Sequence, residues 1–378
     1  MDSQFIDKIK TANDIIDVIG EYVALKKHGV NMIGICPFHA DSHPSMSVSK
    51  SKQMYNCFVC GKKGDVIQFL QEHEHITFIE AVAILAKRAG IEFQQTEMTD
   101  EQKQRAKEME SMRIATKAAS DYFISNLHQA KSYLSSRGYD LEDPATKNIL
   151  TLFGVGYAPE GNLLKKWCSK AGYSESVMLK VDAIKKGEHG TYDAFQDRLM
   201  FPFYDLHGNI TGFTGRIITP RDNYPKYQNT KETPLYTKGN QIFGLHQAKQ
   251  SISRLGFAYL VEGQMDVVSM HLAGTTNTIA GSGTAFTEYQ VRLLSRFTQS
   301  ICQAYDGDKA GIAASLKNAE LFLRAGFTVK CVALPEGKDP DNIAWEKKAD
   351  TSKWFSNNSK DFVTYFCELM LKENNSVD

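Results

Sequence analysis

Cys36-Pro-Phe-His39 and Cys57-Phe-Val-Cys60 are two ligand pairs with the same close spacing. At that spacing both side chains of a pair turn toward one point, and two such knuckles complete the tetrahedron that structural Zn²⁺ takes. Four ligands leave no position open for substrate, so the metal implied is structural rather than hydrolytic. Four scattered residues in a small core are the alternative, and the paired spacing argues against it. His43 is the rival for His39, but its offset from Cys36 breaks the knuckle. Lys50, Lys52, Tyr55, Phe58, Lys62 and Lys63 surround the ribbon. They could stack bases and hold phosphates, or equally be core aromatics with solvated lysines.

A second chemistry is written in acids that follow apolar runs. Glu262 comes after FAYLV, Asp306 and Asp308 after SICQAY, and Asp339 and Asp341 after VKCVAL. In open parallel sheets ligands bind beyond the carboxyl ends of the strands, so acids delivered there would build one oxygen-rich pocket. Such pockets bind Mg²⁺, which completes its shell with water and substrate phosphates. Taken singly, each acid has an ordinary use: Asp266 or Asp341 could cap a helix, and Asp308 could pair with Lys309. A third pattern lies between them. Arg198, Arg216, Arg221, Lys226, Lys231 and Lys238 alternate with Tyr224, Tyr227, Asn229 and Tyr236, and Pro220, Pro225 and Pro234 keep the stretch extended. Cations spaced this way among aromatics suit a single strand or a nucleoside triphosphate; an exposed loop with routine charges is the alternative.

The elements that must position these residues can be read from periodicity. Phe5, Ile9, Ile16 and Ile19 fall on one helical stripe over residues 3–20, closed by Gly20. The cysteine-rich region follows, then two helices ending at Gly90. Polar residues 94–112 predict a helical or flexible linker, and a helix is expected around Ala115–Leu127. Short strands are expected around Leu199–Tyr204 and Ile210–Gly215. From Phe257 the runs FAYLV, NTIA, SICQAY and VKCVAL alternate with helical stretches at 286–296 and 309–325. That alternation predicts a parallel α/β sheet.

The chain is 378 residues long, with 44 basic and 44 acidic residues, which excludes an all-over basic nucleic-acid coat. The charge is unevenly placed: residues 113–256 hold 19 basic and 13 acidic residues, whereas 257–342 hold 7 and 9. A positive track beside a focused acidic site suits a nucleic acid held next to cations. No apolar run is long enough to span a membrane, and the start lacks a signal pattern. Seven cysteines, three of them within the first 60 residues, point to a reducing compartment and a metal site rather than disulfides.

In its ordered motifs the sequence resembles the DnaG-type primases of bacteria and their phages. The resemblance rests on CPFHADSHPSMSV with YNCFVCGKKGDVIQFL, then RLMFPFYD, GNITGFTGR and PKYQNTKETPLYTKGNQIFGL, and finally VEGQMDV, GSGTAF and YDGDKAG. It implies a multidomain α+β and α/β chain. A zinc-ribbon domain with helices would occupy 1–95, with a linker over 96–112. A basic subdomain of the primase core would occupy 113–256, a Toprim metal-binding sheet 257–342 and a short helical tail 343–378. It implies synthesis of short RNA primers on single-stranded DNA from ribonucleoside triphosphates, by a monomer in the cytoplasm at the replication fork. By the same resemblance Cys36, His39, Cys57 and Cys60 bind one structural Zn²⁺. Glu262, Asp306 and Asp308 hold two or more catalytic Mg²⁺ or Mn²⁺ ions, supported by Asp266, Asp339 and Asp341. Arg198, Arg216, Lys226, Tyr227, Asn229 and Lys238 contact nucleotide and template.

Departures from the family pattern are few. Asp41 and His43 stand where Glu and Thr are more common, and Gln264 stands where Tyr is common. Only 37 residues follow Asp341, too few for the family's helicase-binding domain, so recruitment by a replicative helicase is not expected through that domain. The rival readings are another Toprim enzyme, a nuclease or topoisomerase, and a zinc-plus-Toprim repair scaffold that binds DNA without polymerising. A topoisomerase needs a nucleophilic tyrosine on a further domain, and a scaffold has no need of the RLMFPF and PKYQNTKETP segments.

Overall fold

The structure is a computed structural model that describes residues 3–39, 41, 43–74, 76–93, 99–222, 224–281, 283, 285–305, 309–335 and 337–375. It forms two compact units, Met1–Glu101 and Gln102–Asp378.

In the first unit the stripe predicted over residues 3–20 is two helices, α1 (Ser3–Ala12) and α2 (Ile15–Gly20). The break has a local cause. Asn13 turns its side-chain amide back to the carbonyls of Ile9 (2.8 Å) and Leu85 (3.1 Å), and Asp14 caps α2 by accepting from the Ile16 N–H at 2.9 Å. A five-stranded antiparallel sheet follows in simple order: β1 (Lys26–His28), β2 (Asn31–Gly34), β3 (Met46–Ser49), β4 (Met54–Cys57) and β5 (Lys63–Gly64). The helices α3 (Val66–Glu74) and α4 (Phe78–Arg88) close over it. Thr77 and Glu80 form a reciprocal capping box at the start of α4. Val48, Tyr55, Phe69, Leu70, Val82 and Leu85 are buried in the shared core, with Ile9, Ile15 and Ile19 from the first two helices.

Residues 100–125 form one helix, α5 (Asp100–Ser125), with buried positions from Met112 onward. Two short helices, α6 (Lys131–Ser136) and α7 (Pro144–Leu152), lead to β6 (Gly156–Ala158). Helices α8 (Leu163–Lys170) and α9 (Glu175–Lys180) precede a hairpin of β7 (Ile184–Gly187) and β8 (Gly190–Asp193). The chain then enters β9 (Arg198–Tyr204), β10 (Ile210–Ile217) and β11 (Tyr227–Asn229). These make an antiparallel sheet ordered β11-β10-β9-β6, and the short strands expected at 199–204 and 210–215 are its centre.

The parallel sheet predicted from residue 257 is present. After α10 (Leu245–Leu255) come β12 (Ala258–Val261), α11 (Gln264–Leu272), β13 (Thr278–Ala280), α12 (Glu288–Leu294) and β14 (Ser300–Gln303). They continue into α13 (Lys309–Arg324), β15 (Thr328–Val332), α14 (Pro340–Lys347), α15 (Thr351–Asn357), β16 (Ser359–Asp361) and α16 (Phe362–Asn375). The order is β13-β12-β14-β15-β16, parallel except for the β16 edge. One apolar core joins Phe201 and Phe203 of β9 to Phe243, Val261 of β12, and Val267 and Met270 of α11. That shared core fixes the antiparallel sheet against the parallel one, and with it the cationic strip against the acid-bearing strand ends.

Candidate functional site

In the first unit, Cys36 follows β2, His39 lies in the turn beyond it, Cys57 ends β4 and Cys60 lies in the turn before β5. Their ligand atoms all lie within 4.8 Å of one another. Asp41 organises the near side of the group. Its Oδ2 accepts from the Cys36 N–H at 2.9 Å and from Ser45 Oγ at 2.6 Å, and Ser45 Oγ lies 3.3 Å from Cys57 Sγ. The Ser45 hydroxyl and the Cys36 N–H together hold the Asp41 carboxyl down to about 2. Burial pushes the Cys36 thiol up to about 12. Burial also opposes ionisation of Cys57, but hydrogen bonding with Ser45 and with the backbone of Cys60 and Val59 outweighs it and brings this thiol down to about 6. His39 Nδ1 is buried with no hydrogen-bond partner among the described residues. Three sulfurs and one imidazole converging on one point, with an orphaned buried nitrogen among them, fit tetrahedral Zn²⁺. His43 is exposed and outside the group, so the choice of His39 stands.

In the second unit, β12 and β14 run side by side in parallel, with Leu260 opposite Gln303. Glu262 therefore leaves the sheet at the carboxyl end where the chain after β14 also emerges. It lines a cavity of about 300 Å³ with Gly281, Gly283, Tyr305 and Asn318. Asp306 and Asp308 lie outside the described residues. The described chain runs to Tyr305, whose hydroxyl accepts from Asn318 Nδ2 at 2.7 Å; Asn318 Oδ1 accepts from the Phe286 N–H at 2.9 Å. Asp266 Oδ2 accepts from the Gly263 N–H at 2.9 Å and so tightens the turn that carries Glu262.

The two remaining acids have partners that their spacing did not reveal. Asp339 caps α14 through the Asn342 N–H at 2.7 Å. Asp341 is buried, receives Arg137 Nη2 at 2.5 Å and accepts from Trp345 Nε1 at 3.1 Å. Burial raises its carboxyl above the ordinary range even though Arg137 pulls the other way.

The cationic strip divides. Arg216, on β10 opposite Tyr227 of β11, lies 5.7 Å from the ring centroids of both Tyr133 and Tyr227. Its Nη1 donates to Tyr227 Oη at 3.3 Å. Burial opposes the Arg216 charge, but Tyr227, Tyr133 and Asp266 outweigh it. The Tyr227 hydroxyl reaches the acid edge: a Cβ placed on Gly263 would lie 3.9 Å from it and 3.0 Å from Asp266 Oδ2. Arg216 and Tyr227 thus stand against the turn that presents Glu262. Lys226 is exposed and has no ion pair among the described residues, while Asn229 and Lys238 are half-buried.

Arg198 corrects the sequence reading. Expected as a nucleotide or template contact, it is 2% exposed, and its Nη1 donates to the carbonyls of Gly215 (2.9 Å) and Pro225 (3.1 Å). The guanidinium ties the loop before β11 to β10 and so positions Lys226 and Tyr227. Two site residues went unread altogether. Tyr133, in α6, and Arg137, just beyond it, reach Arg216 and Asp341. Their only signal is an Arg-Gly pair ending a short amphipathic stretch, and that pattern is common.

Three family models match in order: a CHC2 zinc finger over 1–101, the DNA primase catalytic core N-terminal domain over 119–249, and a Toprim-like model over 259–344. A solved structure of the Aquifex aeolicus primase, comprising its zinc-binding and RNA polymerase domains, is 34% identical with a TM-score of 0.63. That similarity covers 100% of this chain and 90% of that one. This chain belongs to the DnaG-type DNA primase family. The DNA primase of Clostridium acetobutylicum is 35% identical over 98% of this chain, which spans 62% of that relative's length. The RNA polymerase domain of Mycobacterium tuberculosis primase DnaG, solved with a double-stranded DNA oligomer bearing a 6-nucleotide overhang, is 30% identical with a TM-score of 0.59. It covers 67% of this chain and 81% of that domain. Within the DnaG family, then, the antiparallel sheet belongs to the catalytic core and the parallel sheet is the Toprim fold. No described helix is long and apolar enough to cross a membrane.

Proposed function

We propose that this chain is a DNA primase, a DNA-directed RNA polymerase that builds short RNA primers on single-stranded DNA during replication in the cytoplasm. The observation that carries the reading is the juxtaposition of Arg216 and Tyr227 with Asp266 and Gly263, beside Glu262. A cation for phosphate and an acid for divalent metal therefore meet at one sheet edge. The DNA bound to the related M. tuberculosis domain supports DNA as the partner.

In this reading Cys36, His39, Cys57 and Cys60 hold one Zn²⁺ that cross-links the ribbon turns. Glu262, Asp306 and Asp308 hold two or more Mg²⁺ or Mn²⁺ ions. Such ions supply charge stabilisation to the attacking 3′-oxygen and to the departing pyrophosphate. Asp266 sets the turn at Glu262, and Asp339 and Asp341 brace the neighbouring helix. Arg216 binds the triphosphate, with Tyr227 fixing its guanidinium. Lys226, Asn229 and Lys238 contact nucleotide and template along the rim. Because the site aligns two reactants, orientation and charge carry the catalysis and no protein nucleophile is needed.

The test is incubation of the purified chain with single-stranded templates of varied sequence, labelled ribonucleotides and Mg²⁺ or Mn²⁺. Template-dependent short RNA is expected. Tight DNA binding with no RNA on any template would contradict the reading.

A further inference from the structure

The two aromatic walls of Arg216 are not equivalent. Tyr227 gives both its ring and its hydroxyl to the guanidinium, with Oη accepting from Nη1 at 3.3 Å. Tyr133 gives only its ring, 5.7 Å from the guanidinium carbon. Its hydroxyl is buried and has no hydrogen-bond partner among the described residues. Burying an unpaired hydroxyl is unfavourable, and such groups in a folded protein call for a reason. Looseness is not the reason, because the next residue, Leu134, is fully buried in the core shared by the two sheets and anchors α6.

We propose that Tyr133 is a nucleotide-binding residue: its hydroxyl donates to a phosphate oxygen of the ribonucleoside triphosphate while its ring holds Arg216 in place. The assignment rests on the primase reading of the site. A phenol beside a guanidinium forms a donor pair, and the ligand that satisfies both is an anion with several oxygens. A triphosphate has that form, whereas a base edge would leave Arg216 without a charged partner. Helix α6 thereby serves the site twice, through Tyr133 at Arg216 and through Arg137, just beyond its end, at Asp341.

The experiment uses the full chain as wild type, Tyr133→Phe and Tyr133→Leu. Binding of GTP and of inorganic tripolyphosphate, each with Mn²⁺, is measured by calorimetry without template. Single-stranded DNA affinity, melting temperature and primer synthesis are measured on the same preparations. Tyr133→Phe keeps the wall and loses the donor, so it should melt as wild type and bind DNA as wild type. It should bind GTP and tripolyphosphate about tenfold more weakly, the loss expected for one hydrogen bond to a charged acceptor. Its synthesis should show the change in KM for nucleotide, with kcat nearly kept. Tyr133→Leu should lose more, since Arg216 then loses a wall as well. GTP affinity in Tyr133→Phe equal to wild type would overturn the assignment. So would an equal loss of DNA affinity, or a loss for GTP but not for tripolyphosphate. If wild type binds GTP but makes no RNA, the primase reading fails, and the binding measurements still decide the role of Tyr133.

Discussion

The ion pair between Arg137 and Asp341 should be asymmetric, and the asymmetry can be worked out from exposure. The Asp341 side chain is 3% exposed and that of Arg137 is 28% exposed, with Nη2 and Oδ2 at 2.5 Å. Removing the cation strands a carboxylate in the core, where Trp345 Nε1 at 3.1 Å and the Ser269 hydroxyl still favour its charge. Breaking a buried pair from one side costs about 3–5 kcal/mol, and the Trp345 bond places Arg137→Ala near the lower end, at about 3 kcal/mol. Asp341→Asn instead leaves a guanidinium that can turn toward water, so its cost should be about 1–2 kcal/mol. All three tryptophans, Trp167, Trp345 and Trp354, lie in the second unit, so their fluorescence follows its unfolding alone. With a urea slope of about 3 kcal/mol per molar, Arg137→Ala should lower the midpoint by about 1 M and Asp341→Asn by about one third to two thirds of that. An Arg137→Ala midpoint within error of wild type would refute the reasoning. An Asp341→Asn cost above that of Arg137→Ala would refute it equally.

Four further outcomes follow from the structure. Cys57→Ser should lose zinc while His43→Ala keeps about one ion per chain by metal analysis, because a closed structural site needs all four of its ligands. Lys226→Ala should flatten the dependence of single-stranded DNA affinity on log salt by roughly 0.7. Arg198→Met should instead lower the unfolding midpoint, because its carbonyl partners at Gly215 and Pro225 lose their donor. His271, buried with a ring nitrogen 2.9 Å from the Thr278 carbonyl, is pushed down by burial from 6.5 to about 4. The unfolded chain therefore binds a proton that the folded chain refuses. This contribution to stability is complete above pH 6.5 and is lost as the pH falls toward 4. Between pH 7 and pH 5 the loss should be about 2 kcal/mol by urea titration, and His271→Gln should flatten that dependence.

What could be read from the sequence divides by the range of the interaction. The zinc ligands were legible because each knuckle is local and its spacing alone turns two side chains together. The parallel sheet was legible because buried strands leave unbroken apolar runs such as FAYLV, separated by helices. Glu262 was legible as an acid at a strand end for the same reason. The split of the first helix was not, since it depends on Asn13 reaching the Leu85 carbonyl, a contact 72 residues away. Arg198 carries the charge pattern of a surface strip, and only the approach of Gly215 and Pro225 makes it an internal strut. Arg137 meets Asp341 across 204 residues, so neither member marks the other in the sequence.

The central claim is that the acid edge synthesises RNA rather than merely holding DNA. Glu262→Gln keeps the shape of the side chain and removes its charge, and Asp306→Asn does the same three positions after β14 in the sequence. The decisive measurement is primer synthesis by both variants, run beside their single-stranded DNA binding curves and zinc content. Both are expected to fold, to carry zinc, to bind DNA like wild type and to make no detectable RNA at any Mg²⁺ concentration. Near wild-type synthesis in either variant would contradict the account, and so would a collapse of DNA binding along with synthesis.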